Sequence, residues 1–64
     1  MCQTNVVIEQ DGKEELLFEN VTALEVIDSG LTVTTLFEGR QELPGVAIRR
    51  IDFDGGKVFL YKTG

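Results

Sequence analysis

The chain has 64 residues, with 11 acidic and six basic side chains, one cysteine and no histidine. So short a chain hides only about 60% of its unfolded surface, and this one has neither an internal disulfide nor a Cys/His zinc cage to brace it, so self-association is the expected staple. A net charge of −5 has the wrong sign for tracking a phosphate backbone, and 42% apolar with 27% charged residues excludes disorder and membrane burial.

Valine, isoleucine and threonine supply 17 residues, and this β-branched excess suits pleated, half-buried surfaces. In chain order, period-two patterning predicts strands at Gln3 to Glu9, Glu14 to Phe18, Val21 to Ile27, Leu31 to Phe37, Val46 to Phe53 and Lys57 to Lys62. Gln10-Asp11-Gly12-Lys13 predicts a tight hairpin whose Asp-Gly pair tolerates positive φ, and Asp28-Ser29-Gly30 and Glu38-Gly39-Arg40 read as further turns. Pro44-Gly45 has the pattern of a type II turn, and Asp54-Gly55-Gly56-Lys57 closes a last hairpin. Gly12 to Val26 has a competing helical reading through Glu14, Glu15, Leu16, Leu17 and Glu19, which Asn20, Val21 and Thr22 weaken.

Short strands at regular spacing predict one all-β domain over residues 1–64, a small antiparallel barrel or rolled meander. Val6-Val7-Ile8 and Val58-Phe59-Leu60-Tyr61 are apolar on both faces. One face fills the core and the other needs cover, which a second copy of the chain would supply in a homodimer.

Without histidine there is no Ser/His/Asp or Cys/His arrangement, and no Gly-rich phosphate loop occurs, so no enzyme is expected. Glu14-Glu15 and Asp52-Asp54 read as solvated surface charge rather than acid/base pairs. Arg49-Arg50 is the one Arg pair, and strand alternation would send its two side chains to opposite faces. No leader or spanning segment is recognised, so a cytoplasmic protein is expected, with its thiol kept reduced.

Met1-Cys2 remains. Removal of the initiator would place an amine and a thiolate on one residue, a five-membered chelate. Two such termini related by a two-fold axis would offer an N2S2 set suited to nickel or copper. With Met1 retained, its amine, the Cys2 amide nitrogen and the Cys2 sulfur could still bind. The alternative is a free cysteine acting as a small hydrophobe at the barrel mouth.

These residues resemble the CooT family of small nickel-binding proteins. The resemblance is carried by Met1-Cys2, Asp11-Gly12-Lys13-Glu14-Glu15-Leu16, Asn20-Val21-Thr22, Thr34-Thr35-Leu36-Phe37 and Ile48 to Phe53. It implies an SH3-like β-barrel homodimer that binds Ni(II) through Cys2 and serves maturation of carbon monoxide dehydrogenase. The implied partners are a second copy of the chain and a nickel enzyme or its maturation proteins. Relatives often carry an Asn-His pair where this chain has Gly55-Gly56, so an imidazole contribution is absent here. A second reading, an RNA-binding or protein-interaction module, would use Arg40, Arg49, Arg50 and Lys57, and the net charge disfavours its RNA form.

Overall fold

A computed structural model describes residues 3–64. Seven strands and no helix occur among them: β1 (Asn5–Gln10), β2 (Lys13–Phe18), β3 (Val21–Ile27), β4 (Gly30–Thr35), β5 (Gly39–Pro44), β6 (Val46–Asp52) and β7 (Lys57–Lys62). The strand reading of Gly12 to Val26 therefore holds over the helical one. The ladders form a four-stranded sheet in the order β2-β1-β7-β6 and a three-stranded sheet in the order β3-β4-β5.

The first turn has the chemistry its sequence announces. Asp11 and Gly12 take φ values of 56° and 76°, the paired positive angles of a tight type I′ hairpin, and Gln10 pairs with Lys13 across it. Two corners then carry the chain between the sheets. At the β2–β3 corner Asn20 adopts φ 57°, a left-handed conformation that asparagine tolerates better than most residues. At the β5–β6 corner Gly45 alone separates the strands. Its N–H donates to the Ser29 carbonyl at 2.8 Å and its carbonyl accepts from the Thr63 N–H at 2.9 Å, so one residue is tied to both sheets.

β5 corrects the count of six strands. Gly-Arg-Gln-Glu-Leu-Pro has no apolar alternation, and all of it except half-buried Leu43 is exposed. It is an edge strand held by its backbone ladder to β4, and Pro44 is tolerated there because the outer side of an edge needs no donor. A second difference is direction. β1 and β7 pair in parallel, from Asn5 opposite Lys57 to Ile8 opposite Leu60, with the intervening strands forming the long connection that a parallel pair requires.

The core lies between the sheets. Val6, Ile8, Val46, Val58 and Leu60 from one sheet meet Leu31 and Val33 from the other, with Leu17, Phe18, Leu24 and Leu43 packed around them. Val6, Val33 and Leu60 are wholly buried, and each stabilises the fold by about 1.5–3 kcal/mol relative to exposure.

Val7 and Phe59 overturn the argument from two-faced apolar strands. They lie on the opposite face of the four-stranded sheet, yet only 5% and 4% of their surfaces are exposed in a single chain. The registers place Leu16, Val7, Phe59 and Arg50 in one row across the four strands, and the Arg50 guanidinium carbon sits 3.7 Å from the Phe59 ring centre. Arg50 thus covers Phe59 from within the chain, using its apolar stem and flat head, while Leu16 at the β2 end of the row stays half exposed.

Candidate functional site at one pole of the fold

Three backbone hydrogen bonds gather the turns at one end of the molecule. The Leu36 N–H donates to the Asn20 carbonyl at 2.9 Å, Val21 to Thr4 at 2.8 Å, and Asn5 to Gly56 at 2.8 Å. The β4–β5 turn, the β2–β3 corner and the β6–β7 turn thereby surround Gln3 and Thr4, the segment through which the chain enters β1. Gly56 takes φ 69°, and a Cβ built on it would lie 2.5 Å from the Gln3 carbonyl oxygen. The closing turn thus rests directly on the entering segment, and glycine is what lets the two backbones approach.

This pole is apolar where water should favour polar groups. Leu36, Phe37 and Phe53 are 65%, 80% and 85% exposed, and all three sit in its turns. The β4–β5 turn is nevertheless held firmly. Buried Thr35 accepts from the Glu38 N–H through Oγ1 at 2.9 Å, and the Gln41 side-chain amide donates to the Glu38 carbonyl at 3.4 Å. The Asp52 carboxylate has a comparable turn role, with Oδ1 accepting from the Gly55 N–H at 2.9 Å. Asp52 is thus half-buried and structural rather than the solvated surface charge expected of it, while Asp54 is exposed as expected. Glu14 and Glu15 sit opposite Glu9 and Ile8, so strand alternation sends them to different faces.

Cys2, the metal ligand expected from sequence, lies outside the described residues. Among the described residues no cluster of three or more Asp, Glu, His or Cys side chains could hold a metal ion.

The arginine pair departs from expectation. A register shift between Ile48 and Arg50 leaves Arg49 as an extra residue in β6, so alternation fails there. Both guanidinium groups then lie over rings of β7, Arg49 at 4.9 Å from the Tyr61 ring centre and Arg50 at 3.7 Å from that of Phe59. Arg49 also pairs with Glu9, Nε to Oε1 at 3.2 Å, while Arg40 pairs with Glu25 at 3.2 Å on the other sheet. Arg40, Arg49, Arg50 and Lys57 are not brought together as one basic surface, since Arg40 belongs to β5 and Lys57 stands opposite Asp52.

Residues 1–61 match the sequence model of the family described as CO dehydrogenase accessory protein CooT. The chain belongs to the CooT family. A crystal structure provisionally assigned as CooT from Carboxydothermus hydrogenoformans superposes with a TM-score of 0.87 at 25% identity, covering 98% of this chain and 100% of that one. A protein of Methanothermobacter thermautotrophicus, described as uncharacterized, is 32% identical over 60 residues, 94% of this chain and 88% of its own length. Within the CooT family, by its description, the role is that of an accessory to CO dehydrogenase. The pole is also where several of the CooT-like stretches converge: Asn20-Val21-Thr22, Thr34 to Phe37 and Ile51-Asp52-Phe53 form its corner and turns. Gly56 of the β6–β7 turn packs against the entering segment itself, while Gly55 lies against the Asp52 carboxylate.

Proposed function

We propose that this protein is a non-enzymatic Ni(II)-binding accessory protein or metallochaperone, with the Cys2 thiolates of two copies as the soft ligands at a homodimer interface. The observation that carries the reading is the family match, which begins at residue 1 and so includes Cys2. Donor chemistry supports it: a thiolate with backbone nitrogens suits nickel or copper in tetragonal geometry, whereas magnesium and calcium prefer oxygen cages. The metal is cargo destined for a nickel enzyme or its maturation proteins.

Exposed Phe53, on the turn that rests against Gln3, supports a two-fold contact at this pole. This contact replaces the one expected through Val7 and Phe59, which are already buried within the chain. We read the two sheets, joined at Asn20 and Gly45, as one small SH3-like barrel. The proposed location is cytoplasmic, where the Cys2 thiol would be kept reduced. Among the described residues no helix is long and apolar enough to cross a membrane.

The test is a nickel titration of the reduced wild type and of Cys2→Ser, followed by thiolate-to-nickel charge-transfer absorption, with intact mass reporting whether Met1 is present. One nickel per two chains, lost in Cys2→Ser, is the expected result. Tight binding that survives Cys2→Ser, or none by the wild type with its native terminus, overturns the site.

A further inference from the structure

Between the end of β2 and the β4–β5 turn lies an open crevice of about 280 Å³. Leu16, Leu17, Phe18 and Phe37 supply its apolar surface, and the exposed carboxylates of Glu19 and Glu38 stand at its rim. Leu16 and Phe37 are 51% and 80% exposed, so large apolar groups remain wet on both sides of the opening. Its position on the outer end of β2 is also significant. β2 is an edge of the four-stranded sheet, so among the described residues the backbone groups on its outer side have no ladder partner.

We propose that this crevice docks an extended segment of another protein, one that inserts an apolar side chain flanked by lysine or arginine. The apolar side chain fits between Leu16 and Phe37, and the flanking cations meet Glu19 and Glu38, neither of which forms an ion pair among the described residues. Extension of the segment along β2 supplies the unpaired edge, the usual mode of strand addition. Pre-organisation strengthens the case. Thr35 and Gln41 fix the backbone of Glu38 from either side, so Phe37 and Glu38 are presented with little ordering cost on binding.

Charge decides the occupant. A second copy would bring a net charge of −5 to a rim that is already acidic, and two of its arginines are committed to Glu9 and Glu25. Partners rich in basic residues match the rim and are steered toward it. The docking surface is independent of the metal reading, because it uses neither Cys2 nor Phe53.

The probe is a short synthetic peptide with one phenylalanine between lysines, compared with a counterpart in which glutamates replace the lysines. Binding is followed by fluorescence anisotropy and by amide shifts of the labelled full chain. The lysine peptide should move the amides of residues 16–20 and 35–38, and the glutamate peptide should not bind. Phe37→Ser, which leaves charge unchanged and removes an exposed side chain, should weaken binding about tenfold. Glu19→Gln with Glu38→Gln should weaken it similarly and flatten its salt dependence. Shifts scattered over other acidic surfaces would reject the proposal, as would undiminished affinity in Phe37→Ser. A wild-type dimer that Phe37→Ser converts to monomer would also reject it, by assigning the crevice to a second copy.

Discussion

The guanidinium carbon of Arg50 lies 3.7 Å from the centre of the Phe59 ring, and this contact covers Phe59 on the outer face of the four-stranded sheet. It joins electrostatic attraction to hydrophobic cover, since Phe59 is 4% exposed with the arginine in place. Arg50→Ala should therefore destabilise the chain by about 1–2 kcal/mol, from the lost cation–π contact and newly wetted ring. Arg50→Lys should recover only part, because ammonium lacks the planar head. Urea unfolding checks both, and an Arg50→Ala cost within error of zero would show that the sheet face does not depend on this cover.

The same region shows what was legible in the sequence. Strands with apolar alternation and turns with Asp-Gly or Gly-Gly were recoverable because local chemistry specifies them, and β3 and β7 have the ends their patterning predicts. β5 was hidden because an edge strand held only by its backbone ladder leaves no hydrophobic rhythm. The common side of Arg49 and Arg50 was hidden because a bulge breaks period two, and residues on a single strand do not announce the register of their neighbour. The reasoning from Val7 and Phe59 to a dimer failed for a related reason. Both side chains are buried within a single chain, and Phe59 is covered by Arg50 of the adjoining strand, a long charged residue that apolar patterning does not count as cover.

Gly56 offers a second test, at the pole itself. An alanine there would meet the Gln3 carbonyl oxygen and would be held at φ 69°. Gly39 provides the control, having φ 75° with nothing within 4 Å of a built Cβ. Gly39→Ala should cost about 1–2 kcal/mol for the left-handed backbone alone, and Gly56→Ala should cost about 1–3 kcal/mol beyond it. Amide exchange at Asn5, whose N–H donates to Gly56, should accelerate only in Gly56→Ala. Equal costs in the two variants would show that the entering segment gives way freely.

Phe53 tests the proposed two-fold contact. At 85% exposure, its replacement by serine removes almost no intrachain packing, so Phe53→Ser should stay folded. Sedimentation at micromolar concentration should report a dimer for the wild type and for Phe37→Ser, and a shift toward monomer for Phe53→Ser. A wild-type mass of one chain would remove the homodimer from the proposal while leaving the β2 crevice untouched.

Nickel and association should be thermodynamically linked if Cys2 of both copies binds one ion. Each thiol, with an ordinary pKa near 8.5, is mostly protonated at pH 7 and must release its proton to become a ligand. Calorimetry in buffers of different ionisation enthalpy should therefore give about two protons released per nickel from the thiols alone, with any amine ligands adding to that figure. Since protons compete with the metal, affinity falls as pH drops below about 7, by up to roughly a hundredfold per unit for two thiols. Binding across two chains also means that nickel holds them together: at a free concentration 100 times the dissociation constant, the dimer gains about 2.7 kcal/mol. The dimer dissociation constant should consequently fall by about a hundredfold with nickel at pH 7.5 and much less at pH 5.5. Release of one proton or fewer, or a dissociation constant indifferent to nickel at both pH values, would place the ion on a single chain and break the connection between metal and dimer.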